Sequence, residues 1–164
     1  MIELLAPAGS PESVIAAVQN GADAVYLGLG DFNARRGAKN FTDEEFAKAA
    51  RYCRVRGCKV YVTLNTLVGD REMEAAVDAA RLASDEGADG LIVQDLGMSA
   101  AIRRALPDIP LHASTQMSIH NLAGVEAAAE LGCTRAVLSR ELSLEQIREI
   151  SRHASIETDR KSVV

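Results

Sequence analysis

The chain alternates two kinds of apolar pattern. Stretches with apolar residues three and four positions apart, the spacing of one helix face, run into a glycine, and a short aliphatic run follows within a few residues. This joint occurs four times, at GADAVYL (21–27), GCKVYVTL (57–64), GADGLIV (87–93) and GCTRAVL (132–138). Glycine suits the left-handed position just past a helix end, and a near-continuous aliphatic run is what a strand covered on both faces requires. The repeat predicts βα units on a parallel sheet, a design in which chemistry collects where strands end and loops begin.

The same patterns place the elements. Strands are expected over residues 3–6, 24–29, 59–64, 90–93, 111–113 and 135–138. Ser10 before Pro11 is a start signal for the first helix, which stops at Gly21. Thr42 with Glu45, and Ser143 with Gln146, read as capping boxes opening the second and sixth helices. The third helix is expected over 70–86, the fourth over 96–106, and the fifth from Asn121 to Gly132. Such a series suits either a doubly wound sheet or a truncated TIM-type (β/α)8 barrel. No GxGxxG follows the first strand, and GLGDFNARRG lacks the lysine and spacing of a P-loop, so the α/β fold expected is the partial barrel, with about six βα units over residues 1–157.

Composition narrows the class without choosing a function. The 164 residues are 48% hydrophobic and 25% charged, ordinary values for a chain with one sizeable core. No apolar run is long enough to span a membrane, and Glu3 stands where a secretion signal would carry positive charge, so a cytoplasmic protein without membrane contact is expected. Three cysteines, Cys53, Cys58 and Cys133, imply reduced thiols. Two of them follow helix-ending glycines, at the end of a barrel that serves stability, and read as inert. The net charge of −5 argues against a surface that tracks nucleic acid throughout. Between Arg35 and Lys59, however, eight basic residues face three acidic ones, and Lys48, Arg51 and Arg54 recur every third position. A solvated helix face is the simpler reading of that stripe, with an RNA contact as the alternative.

If the strands form a barrel, their ends gather a polar set at one mouth. Ser10 follows the first strand, Asn33 and Arg35 the second, Asn65 and Thr66 the third, and Gln94 and Asp95 the fourth. Ser114, Thr115 and Gln116 follow the fifth, in which His112 lies, and Arg140 and Glu141 follow the sixth. Amides and hydroxyls orient a polar substrate, and Arg35 and Arg140 suit a carboxylate or phosphate. Asp95, His112 and Glu141 are the candidate acid–base groups. The competing reading is that Asp95 and Asn65 cap the next turn while Arg140 pairs with Glu141. His112 and His120 lack the spacing of a zinc helix, so no metal is expected. No GxSxG surrounds Ser114 or Ser118, and no lysine ends a strand as a Schiff-base aldolase would need.

Seven blocks carry a family resemblance: ELLAPAGS, GADAVYLG, NARRGAKNF, KVYVTLNTLV, LIVQDLG, LHASTQMSIHN and VLSRELSLEQI. In this order, over about residues 2–150, the chain resembles the N-terminal region of peptidase family U32, the collagenase-like proteins. The resemblance implies a barrel. Its blocks look nearest to members linked to hydroxylation of a ribosomal RNA base, while others act on transfer RNA or in ubiquinone synthesis, or are described as proteases. It further implies a full-length parent that is an iron–sulfur enzyme with RNA as a partner. The family's cluster-binding cysteines lie in a later, cysteine-rich region, so none of the cysteines here is assigned as a cluster ligand. Peptidase activity and a non-catalytic binding fragment are the alternatives.

The closing DRKSVV, with a stop after it, is also the translation of GAT CGG AAG AGC GTC GTG TAG, the start of a common sequencing adapter. Residues 158–164 are therefore expected to be a non-native or disordered tail, with the natural chain cut near Thr158. A barrel lacking its last two strands would expose the first and sixth as edges, and such a fragment is expected to be inactive and to self-associate.

Overall fold

The helix-to-strand joints behave as their glycines predict. The computed structural model describes residues 3–34 and 40–160. Gly21, Gly57, Gly87 and Gly132 have φ of +87°, +70°, +100° and +86°, the left-handed region in which a side chain is strained. At the first three, the glycine N–H and the N–H after it turn back to carbonyls of the last helical turn. At the joint after the third helix, Ala88 N donates to Ala83 O at 2.8 Å and Gly87 N to Ser84 O at 3.1 Å. This double return satisfies carbonyls that a helix end would otherwise leave bare.

Among the described residues, seven strands and six α-helices follow in order. They are β1 Leu5–Pro7, α1 Pro11–Gln19, β2 Ala24–Gly28, α2 Asp43–Arg54, β3 Lys59–Leu64, α3 Met73–Asp85, β4 Gly90–Val93, α4 Leu96–Ala105, β5 Leu111–Ala113, α5 Leu122–Glu130, β6 Cys133–Val137, α6 Leu144–His153 and β7 Glu157–Asp159. Every neighbouring pair is parallel and the sheet order is β1 to β7 in sequence. A doubly wound sheet reverses its strand order partway along, and this one does not. The result is α/β, a curled half-barrel, as expected for a truncated TIM-type barrel. Thr42 and Ser143 cap α2 and α6 in reciprocal boxes, and Ser10 and Ser13 make another at α1.

The seventh strand is a correction to the expected six. Arg135 pairs in register with Glu157, Ala136 with Thr158 and Val137 with Asp159. The proposed tail boundary at Thr158 thus falls inside a strand, and the sheet's open margins are β1 and β7 rather than β1 and β6. Glu157–Asp159 has no aliphatic run to announce it, because an edge strand of three residues buries little. Residues 161–164 lie outside the described residues.

The two sheet faces differ in kind. Val25, Leu27, Val60, Val62, Leu64, Leu91, Val93, Leu111, Ala113, Ala136 and Leu138 point outward into one core with the helices. Ala24, Tyr61 and Ile92 form a small cluster on the other face, joined by Leu5 and Tyr26. Neighbouring helices are stitched by arginines. The Arg54 guanidinium of α2 occupies the space a Cβ on Gly87 would need, and Arg103 of α4 lies over Gly132, donating from Nη2 to Gly132 O at 2.9 Å. Each places a cation at the carbonyl end of the next helix in register, the favourable end of its dipole.

Gly87→Ala should therefore lose on two counts. A left-handed alanine costs about 1–2 kcal/mol and Arg54 must also move aside. Chemical denaturation is expected to show a lower midpoint at unchanged slope, and Gly9→Ala, at a glycine without positive φ or a close neighbour, should cost less.

Candidate functional site

The curl of the sheet brings loops after β1, β2, β3, β5 and β6 around a cavity of about 320 Å³ at the C-terminal end of the strands. Its lining includes Tyr26, Gly28, Asn33, Asn40, Thr63, Asn65, Ser114, Thr115, Gln116 and Arg140. Gly28 is needed there. A Cβ on it would stand 2.8 Å from the Asn33 side chain and 3.1 Å from Asn40 Oδ1, so glycine lets two amides fold over the end of β2. Asn33 and Asn40 both donate to Gly30 O, and Phe41 N donates to Gly28 O, which returns the loop to the sheet.

Asn65 is the hinge of the cavity. Its Oδ1 accepts from Ala34 N at 3.0 Å and its Nδ2 donates to Ser114 Oγ at 3.3 Å, linking the ends of β2, β3 and β5. Ser114 Oγ also accepts from Gln116 N, opening the single 3-10 turn Thr115–Met117. Ser118, which ends that turn, is left-handed at φ +55°. Among the described residues, the lining thus offers neutral donors and acceptors with one cation, Arg140.

Of the sequence candidates, Asn33, Asn65, Ser114, Thr115, Gln116 and Arg140 line this cavity. Arg35 lies outside the described residues. Ser10 caps α1, and Asp95 caps α4, accepting from Met98 N at 2.8 Å and from Val68 N at 3.4 Å. Thr66 Oγ1 is buried without a partner among the described residues, and Gln94 and Thr66 are not in the lining. Glu141 is exposed in the turn after β6.

His112 lies within the sheet's inner face, 5% exposed, with its ring edge-on to Tyr61 at 4.6 Å. Burial, reinforced by the Arg135 charge, pulls its pKa from 6.5 to about 4 and keeps the imidazole neutral near pH 7.

Beside it is a network that the strand-end rule overlooks. Glu3 accepts from Arg135 Nη1 at 2.7 Å, Lys59 Nζ at 3.1 Å and Tyr61 OH at 3.1 Å, while Arg135 Nε and Nη2 reach Glu157 Oε2 at 2.9 and 2.8 Å. Burial alone would raise the Glu3 pKa, but the hydrogen bonds and charges of Arg135 and Lys59 hold it below its usual value. The same two carboxylates raise the Arg135 pKa against burial. Lys59, Tyr61 and Thr63 at alternate positions of β3, with Arg135 as a lone charge within β6, are the signal that could have revealed this inner face.

The residues present do not suit a metal or an iron–sulfur cluster. Among those described, no three His, Cys, Asp or Glu side chains converge. All three cysteines are buried, and burial pushes Cys53 to about 12 and Cys133 to about 11, away from the thiolate a metal needs. No described helix is long and apolar enough to cross a membrane.

Comparison with known proteins agrees with this architecture. The model of "Peptidase family U32" matches residues 9–161. The chain is 38% identical over 157 residues to tRNA hydroxylation protein P1 of Bacillus subtilis, covering 96% of this chain and 37% of that protein. It is 41% identical over 152 residues to the 23S rRNA 5-hydroxycytidine C2501 synthase of Escherichia coli, covering 91% and 22%. A Porphyromonas gingivalis protein named collagenase is 37% identical over 161 residues, covering 96% and 37%. The chain therefore spans about a third or less of the length of these relatives. The solved U32 peptidase Mk0906 superposes with a TM-score of 0.80 at 17% identity, over 98% of this chain and 68% of its own, which speaks to fold.

The inner face predicts an acid-labile fold. An unfolded chain takes up a proton at His112 more readily than the folded one, so this contribution is complete above pH 6.5 and is lost as the pH falls toward about 4. Glu3, with its depressed pKa, adds a loss that begins below its ordinary 4.5. Thermal melts across this range should show a falling midpoint, and His112→Gln should flatten the part between pH 6.5 and about 4. An unchanged pH slope in that variant would contradict the assignment.

Proposed function

Given that this chain belongs to peptidase family U32, we propose that it forms the N-terminal barrel portion of a cytoplasmic enzyme acting in RNA base hydroxylation, with the mouth cavity holding the base. The observation that carries this reading is the character of the lining: among the described residues it holds three asparagines, a glutamine and hydroxyls, with Arg140 as the one cation. Amides present donor and acceptor side by side, as the edge of a nucleobase does, and an arginine fork suits the adjoining phosphate. Relatives at 38% and 41% identity are named for tRNA hydroxylation and for 23S rRNA 5-hydroxycytidine synthesis.

Within this proposal the chain's own residues orient and enclose. Asn65, fixed between Ala34 N and Ser114 Oγ, sets the spacing of the cavity walls, and Ser114 presents its hydroxyl at the floor. Arg140 places the substrate's phosphate at the rim. His112, neutral beneath the floor, keeps the inner face free of added positive charge. Asp95 and Glu141 stay candidate acid–base groups that approach only if the substrate reaches past the rim. An iron–sulfur cluster, which the family resemblance implies for the full-length protein, would supply redox chemistry from residues beyond those described.

A peptidase reading has less support. Ser114 Oγ is hydrogen-bonded to an amide side chain and a backbone N–H, with no described base beside it, and burial raises the pKa of all three thiols.

Nucleoside mass spectrometry of tRNA and rRNA from cells with and without the gene encoding this chain tests the proposal. A hydroxylated nucleoside that disappears with the gene, and does not return with the Asn65→Ala or Arg140→Ala variant, is expected. Identical nucleoside profiles in both strains would refute it.

A further inference from the structure

The mouth cavity accounts for one end of the sheet and leaves a charged surface unexplained on the outer face of α2. Lys48, Arg51, Arg54 and Arg56 are all exposed, and between them Val55 is 76% exposed. The helix is segregated by charge, with Asp43, Glu44 and Glu45 in its first turn and only bases from Lys48 onward. Among the described residues, none of these four cations makes an ion pair. Arg51 and Arg54, in the last turn, complement the helix dipole. Arg56, just past the helix end, also meets a last-turn carbonyl, but that role does not extend to Lys48, in the middle of the helix.

Arg56 adds a second feature. Its guanidinium lies 3.7 Å over the Tyr52 ring and donates from Nη1 to Tyr52 O at 3.2 Å, so a flat cationic surface is held in place on the outside of the protein. A planar guanidinium on an aromatic ring is a platform on which an unpaired base can stack. Lys48 and Arg51 lie on the same helix at a spacing that places them side by side, about a turn apart, and a helix of this length runs about 18 Å. On a chain whose net charge is −5, such a face selects a polyanion locally rather than by overall attraction.

We infer that the outer face of α2, through Lys48, Arg51 and Arg56, is a docking surface for the sugar–phosphate backbone of an RNA substrate. The inference rests on the RNA reading of the mouth cavity and deepens it by giving the substrate a second contact. Since α2 begins at the mouth end and runs back along the barrel, an RNA held on this face presents its neighbouring nucleotides toward the rim.

The test uses the whole chain and a fluorescent RNA stem–loop, titrated between about 50 and 200 mM salt. A triple variant, Lys48→Glu, Arg51→Glu and Arg56→Glu, is compared with one carrying the same charge change on α4 and α6: Arg104→Glu, Arg148→Glu and Arg152→Glu. Circular dichroism melts confirm that both fold. The α2 variant should bind at least about tenfold more weakly at the low-salt end, and the slope of log affinity on log salt should flatten by about one unit per side chain removed. Equal affinity and slope in the two variants would overturn the docking face alone and leave the cavity reading standing. If the unaltered chain binds no RNA at low salt, the docking face and the RNA reading fall together.

Discussion

The largely buried guanidinium of Arg135 holds the two margins of the sheet in relation to each other. It is 12% exposed and is shared between Glu3, just before β1, and Glu157 in β7. A buried charge is tolerated when its donors are filled, and here the Nε, Nη1 and Nη2 atoms all find carboxylate oxygens. Removing one partner would leave the others charged and unsatisfied, the costly case. The curl that this contact secures also lets Asn65 reach Ser114 across the mouth. The network at one end of the strands and the cavity at the other are two consequences of the same curvature.

This division explains why the polar residues are not interchangeable. At the network end they neutralise one another and serve the fold. At the mouth the described ones, Arg140 apart, are uncharged. A cavity of this kind recognises shape and the order of donors and acceptors, which suits a planar ring carrying amide and carbonyl groups. It is poorly equipped for nucleophilic attack, since the thiols are buried behind the sheet and the Ser114 hydroxyl has no base beside it among the described residues.

Much of the fold was legible because its signals are local. Ser10, Thr42, Asn121 and Ser143 each cap the helix that the sequence assigns to them, and the strands at 59–64, 90–93 and 111–113 coincide with the expectation. The expected start of the third helix at residue 70 was early because Gly69 and Glu72 form a turn first, with Gly69 N donating to Glu72 Oε2. What was not legible depended on long-range pairing. Glu157–Asp159 is a strand only because Arg135 lies opposite, and Glu3 becomes an inner-face residue only through contacts more than fifty residues away. The site was legible as a set of strand ends, which drew in Asn65, Ser114 and Arg140. Position along a strand does not say which way a side chain turns, and Asp95 turned to cap its own helix.

The central claim is that the curl fixed by Arg135 shapes a mouth cavity for a nucleobase. Its most direct test is an amide chemical-shift map of the chain titrated with cytidine monophosphate. The account predicts shifts confined to the residues around Gly28, Asn33, Asn65, Ser114 and Arg140, and their loss in Arg135→Met while the helices remain folded. Shifts centred on Lys59 and Glu157 at the opposite end, or no saturable shift anywhere, would contradict it.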